Sequence, residues 1–184
     1  LVAACVPDAP RPAMQVAAGA MIAGLLLKTA LFPFHFWLPP AHGSAPAPVS
    51  AVLSALVVKA SFYLVLRLWV DVLGGGGRWV AELLGVLGAA AVLWGSVLAL
   101  RQERLKLLIA YSTVAQVGYL FIAFPLAAAG GAVAWTGALY LALAHGLAKA
   151  AMFLSAGNLL RFGGHDRIAE LDSAVHRLPL TLTA

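Results

Sequence analysis

Four titratable side chains stand where an apolar sequence should not have them. Lys28, Lys59 and Lys149 each interrupt a long hydrophobic run, and His145 precedes Lys149 by four residues. A lysine at the bilayer centre costs about 2.5–3.5 kcal/mol on insertion scales, so three cost roughly 8–10 kcal/mol if left uncompensated. Such groups face a bundle interior or a wet cavity and mark the path of a proton or ion. Lysine and histidine can each take up and release a proton, and the i, i+4 spacing puts His145 and Lys149 on one helix face. Lys28, Lys59, His145 and Lys149 are therefore the candidate proton relay. The bland alternatives are specific. Lys28, close to Pro33, could snorkel to the headgroups. His145 could be a core histidine bonded to a neighbouring helix. No acid lies deep in any apolar run: Asp71 and Glu82 sit near ends, and the other acids fall in connections.

Supporting groups surround these four. In LLIAYSTVAQVGYLF, Ser112, Gln116 and Tyr119 recur at helical spacing and could hold water or bond a neighbouring helix. Ser50, Ser54 and Ser61 are expected on a packing face, with Lys59 and Tyr63 on the other. Pro33 lacks an amide hydrogen and should free the Thr29 carbonyl beside Lys28; Pro39 should do the same to His35. Broken backbone at membrane depth is tolerated where it lines a cavity, and transporters place ion sites there. Alternatively the membrane ends at Phe32, and PFHFWLP is an interfacial aromatic belt.

The elements that must position these residues are membrane spans. Of 184 residues, 62% are hydrophobic and 10% charged, against about 25% charged in soluble domains. Spans of about 20 apolar residues fit at 13–32, 48–70, 79–100, 105–124 and 132–160, and residues 179–184 would open a sixth. The expected fold is an all-α polytopic bundle with a broken helix, a single transmembrane domain over residues 1–184. GGGG at 74–77, RQERLK, the Pro125 and Gly130-Gly131 segment, and GGHDRIAELDSAVHR form the connections. The last could hold a short surface helix. The start without methionine and the apolar ending read as a fragment of a longer protein.

One cysteine, Cys5, excludes an internal disulfide and an all-cysteine iron–sulfur or zinc site made by this chain alone. No glycine-rich dinucleotide motif follows a strand. No cofactor is expected. The net charge of +5 is loop arginine, not a nucleic-acid footprint. Arg101, Arg104, Lys106, Arg161, Arg167 and Arg177 fall on one side, against Arg11, Arg67 and Arg78 on the other. The richer side should be cytoplasmic. A haem or quinone protein is the rival redox reading, but His145 is the only deep histidine expected and has no axial partner on another helix. A structural or assembly subunit is the other rival.

Three blocks carry a family resemblance. KTALFPFHFWLPPAHGSAPAPVSAVLSALVVKASFYLVLRLW closely resembles the signature of antiporter-like membrane subunits of respiratory complex I, membrane-bound hydrogenases and Mrp-type antiporters. RLKLLIAYSTVAQVGYLFIA and LALAHGLAKAAMFLSAGNLL resemble the two blocks that follow, in the family's order. LDSAVHRLP departs from the family's glycine-rich pattern. The resemblance implies part of a fourteen-helix fold with two inverted repeats, the first span here being the seventh helix. It implies that Lys28 is the broken-helix lysine, Lys59 the eighth-helix lysine, and His145 and Lys149 the eleventh-helix pair. The family's fifth-helix glutamate and its twelfth-helix lysine or glutamate have no counterpart in 1–184. The function so implied is translocation of H⁺, with Na⁺ or K⁺ exchange as a variant. It would proceed beside other membrane subunits, in a lipid bilayer expected to be the bacterial plasma membrane, with redox chemistry left to other chains.

Overall fold

The structure is a computed structural model that describes residues 12–73, 77–131 and 133–171. The expected sixth span and most of the GGGG turn lie outside the described residues. Helices make up nearly all of the described residues, and no strand occurs among them. The chain is an all-α polytopic bundle. In order it contains α1 (Pro12–Thr29), α2 (Leu38–Ser44), α3 (Ala47–Asp71), α4 (Arg78–Leu100), α5 (Leu105–Ala128) and α6 (Val133–Gly163). Helices α3 to α6 are each long and apolar enough to cross a membrane. The pair Val16–Thr29 and Phe34–Ser44, bent by 44°, is long and apolar enough when taken together, and counts as a fifth, broken span if it is one span.

The break is made differently from the expectation. α1 stops before Pro33, at Ala30, whose φ of 58° is left-handed. The Leu31 amide donates to the Leu26 carbonyl at 3.2 Å and the Ala30 amide to Leu27 at 3.1 Å. This is the Schellman closure of a helix, with alanine where glycine is usual. The Trp37 indole also donates to the Leu27 carbonyl, at 2.7 Å. Nor does Pro39 free the His35 carbonyl, which accepts the Leu38 amide. Pro39 instead stands in the first turn of α2, where a missing amide hydrogen costs nothing. Ala30 and Leu31 are fully buried, so apolar packing closes this side of the break.

α3 carries two π-helical turns, Leu53–Val57 and Leu68–Val72. The first changes the expected faces: Ser50, Ser54, Ser61 and Lys59 are all buried, and Tyr63 is exposed. α4 and α5 pack backbone to backbone. A Cβ at Gly88 would lie 2.6 Å from the Gly118 carbonyl oxygen, and one at Gly95 would lie 2.7 Å from the Ala115 amide. Pro125 lies inside α5, not in the connection after it. Its ring fills the notch at Gly85, where a Cβ would stand 2.5 Å from the proline Cγ.

At one end, the start of α5 is tied to the segment after α6. Arg104 Nε donates to both Asp166 carboxylate oxygens at 3.0 and 3.1 Å. The Leu105 amide donates to the Asp166 carbonyl at 2.8 Å, and the Ile168 amide to Glu103 at 2.9 Å. Among the described residues, the expected surface helix is represented by a 3₁₀ turn, Ile168–Glu170, and the rest of that segment lies outside them. The other end carries the local pairs Arg67–Asp71 and Arg78–Glu82, at 2.7 and 2.8 Å.

Candidate functional site

Lys59 and Lys149 are buried within charge range of each other. Lys59, on α3, is 9% exposed, and Lys149, on α6, is 3% exposed. Lys59 Nζ donates to the Ser54 carbonyl within the π turn. In a regular helix Ser54 and Lys59 would point about 140° apart; the widened turn lets the side chain fold back onto that carbonyl. Lys149 Nζ donates to the Ile109 carbonyl at 3.0 Å and to Ser112 Oγ. Ser112 Oγ and Thr113 Oγ1 donate to the same Ile109 carbonyl at 2.9 and 3.0 Å. With the Thr113 proton so placed, Ser54 Oγ donates to Thr113 Oγ1 across 3.1 Å, joining α3 to α5.

The oxygens around the two ammonium groups are thus of two kinds. Carbonyls of Ser54 and Ile109 hold the lysines and cannot pass a proton on. The hydroxyls of Ser54, Ser112 and Thr113 can both give and accept one. Every partner is neutral. The ion pairs among the described residues use Arg67, Arg78, Arg104, Arg167 and His165, and none uses a lysine. Burying an ammonium without a carboxylate costs several kcal/mol, an arrangement that fits a group whose charge comes and goes.

His145, 6% exposed, lies within charge range of Lys59 and Lys149. Neither of its ring nitrogens has a protein hydrogen-bond partner. Gly146 lets α6 approach the π turn, its position for a Cβ being 3.2 Å from the Ala55 carbonyl oxygen. Ser112 belongs to the cluster directly, as the Lys149 partner. Gln116 is half-buried one turn further on, and Tyr119 is exposed, so the expected stripe contributes mainly through Ser112. Lys28 is on the exposed side of α1 and Pro33 is exposed. His35 is half-buried in the break, stacked on Phe32 at 5.6 Å. The structure therefore brings together Lys59, Lys149, His145 and Ser112. It leaves Lys28, Pro33 and His35 beside the break, and Tyr119 outside the cluster.

Two residues of the site were not singled out by sequence. His42, on α2, is fully buried and stacks on Phe153 of α6 at 4.4 Å, with both ring nitrogens unpartnered. It corrects the expectation that His145 is the only deep histidine. It lies within charge range of Lys106, Lys149 and Lys59. Lys106 is not a loop residue: it sits in the first turn of α5, is 3% exposed and donates to the Ala45 carbonyl. The available signal was the seven-residue spacing of His35 and His42 across the proline segment.

The profile of the transmembrane family described as NADH:quinone oxidoreductase/Mrp antiporter matches residues 9–184. The chain is 37% identical over 175 residues to NADH-quinone oxidoreductase subunit N of Desulforudis audaxviator, covering 94% of this chain and 34% of that protein. It is 38% identical to a probable K⁺/H⁺ antiporter component of Rhizobium meliloti, covering 89% of this chain and 16% of that one. It thus spans about a third or less of these relatives' length. Among solved structures it resembles a chain of the archaeal membrane-bound sulfane sulfur reductase, with TM-score 0.85 and 31% identity over 98% of this chain and 37% of the other. It also resembles a chain of the Mrp complex from Dietzia sp. DQ12-45-1b, with TM-score 0.73 and 28% identity over 81% and 27%. The chain is an integral membrane protein and belongs to the NADH:quinone oxidoreductase/Mrp antiporter transmembrane family.

Proposed function

We propose that this chain is part of an antiporter-like subunit that moves protons across a membrane through its lysine and histidine side chains. The observation that carries the reading is the pair of buried ammonium groups, Lys59 and Lys149, within charge range of each other and held by neutral acceptors only, with the hydroxyls of Ser54, Thr113 and Ser112 around them. Protons pass between Lys149 and Lys59 with His145 beside both, and Lys28 extends the path towards the break. H⁺ is the transported ion. The chain itself does no redox chemistry and takes no cofactor. Its partners are the lipid bilayer and other membrane subunits, and its location is the bacterial plasma membrane. The relatives named above, one from a quinone oxidoreductase and one from a probable K⁺/H⁺ antiporter, support the class.

The test is replacement of Lys59 or Lys149 by alanine in the full-length protein, within its native complex and reconstituted into vesicles with a pH-sensitive dye. Proton uptake should fall at least tenfold. Uptake equal to wild type would make the chain a structural subunit. Uptake that requires Na⁺ or K⁺ on the opposite side would instead identify cation exchange.

A further inference from the structure

Lys106 is the buried lysine that the relay does not use. Its ammonium is seated on the Ala45 carbonyl, immediately after the last turn of α2. That carbonyl is at the negative end of the helix, and a cation there is favourable. Asp166 and Arg104 lie within charge range of it, and Leu107 beside it packs against Gly43 of α2. Along α5, Lys106, Ile109 and Thr113 follow i, i+3, i+7 spacing and share one face. The helix turn that grips α2 therefore continues into the turn that supplies the acceptors of Lys149. α2 in turn lays His42 on Phe153, and Phe153 follows Lys149 by one turn of α6. The contacts form a closed ring: α5 to α2 through Lys106, α2 to α6 through His42, and α6 back to α5 through Lys149.

We propose that Lys106 is a positioning residue for the lysine relay, fixing the carboxyl end of α2 so that His42, Lys149 and the α5 acceptors keep their mutual placement. The proposal rests on the relay reading above. Because Lys106 acts as a hydrogen-bond donor and charge, an arginine should replace it and an apolar isostere should not.

The experiment uses the full-length protein in its native complex, reconstituted in vesicles, with Lys106→Met, Lys106→Arg and Lys149→Ala compared at equal amounts of assembled complex. Lys106→Met should lower proton uptake at least threefold, and Lys106→Arg should restore most of it. Wild-type uptake in Lys106→Met overturns the proposal. Equal loss in Met and Arg variants also overturns it, since the group would then have to exchange its own proton. If Lys106→Met does not assemble, Lys106→Gln takes its place; failure of both to assemble makes Lys106 a folding residue and overturns the positioning role. Lys149→Ala separates the two readings. Normal uptake there removes the relay itself, whereas loss there with normal Lys106→Met removes only the role of Lys106.

Discussion

Ser54 and Thr113 join α3 to α5 through one hydroxyl–hydroxyl contact of 3.1 Å. That contact stands between the carbonyls that hold Lys59 and Lys149. Ser54→Ala and Thr113→Val each remove it. Each should lower proton uptake in vesicles severalfold, and the double variant should be no worse than the poorer single one, because residues in one network are not additive. The accompanying loss of stability should be about 0.6–1.7 kcal/mol, the span of interhelical hydrogen bonds in membranes. Additive losses of uptake would show that the two hydroxyls act separately.

Function and stability should move in opposite directions at Lys149. Taking an ammonium out of water costs several kcal/mol, and among the described residues no carboxylate beside Lys149 offsets it. Lys149→Met should therefore keep or raise the midpoint of thermal unfolding in detergent while abolishing uptake. Ser112→Ala leaves Lys149 the Ile109 carbonyl alone and should cause a smaller loss of uptake. A Lys149→Met protein that unfolds earlier than wild type would mean the ammonium is a net structural asset.

Ala30 holds a left-handed conformation that costs a non-glycine residue roughly 1–2 kcal/mol. A glycine at this position would remove most of that cost but gain backbone entropy when unfolded. Ala30→Gly should stabilise by about 1 kcal/mol, the part of the left-handed cost that the entropy does not offset, read as a higher thermal midpoint. Destabilisation would mean that packing of the buried methyl outweighs backbone strain.

The α4–α5 crossing has no room for a methyl group. Gly88→Ala places a carbon 2.6 Å from the Gly118 carbonyl oxygen, so one backbone must move. Overpacking of this kind costs about 1–3 kcal/mol, measurable as a lower unfolding midpoint. By comparison, Gly137, with open space around its Cβ position, should accept alanine without loss.

The sequence made Lys59, His145 and Lys149 visible because a charge inside an apolar span is costly wherever it sits. It made the spans visible because their length is set by the membrane. The faces of α3 were not legible, since a π turn adds a residue to the register and leaves no mark in the periodicity around Ser54. Lys106 was hidden because a lysine in the first turn of a helix looks like part of the preceding basic connection. His42 was hidden among Pro39, Pro40 and Pro46, where a turn rather than a helix is the natural expectation. Pro33 drew attention to the break, yet the closure is made at Ala30, a residue type that gives no sign of a positive φ.

The two ways in which helices touch here divide the bundle mechanically. α4 and α5 are fused by main-chain contact at Gly88, Gly95 and Gly118, which leaves them no freedom to slide. The downstream half of the broken span is fastened instead by the tips of side chains: the Trp37 indole, the Lys106 ammonium and the His42 ring. Tips can rotate and backbones in contact cannot. A change at the α4–α5 crossing must therefore shift main chain, whereas one at Trp37, Lys106 or His42 can be taken up by rotation of a side chain.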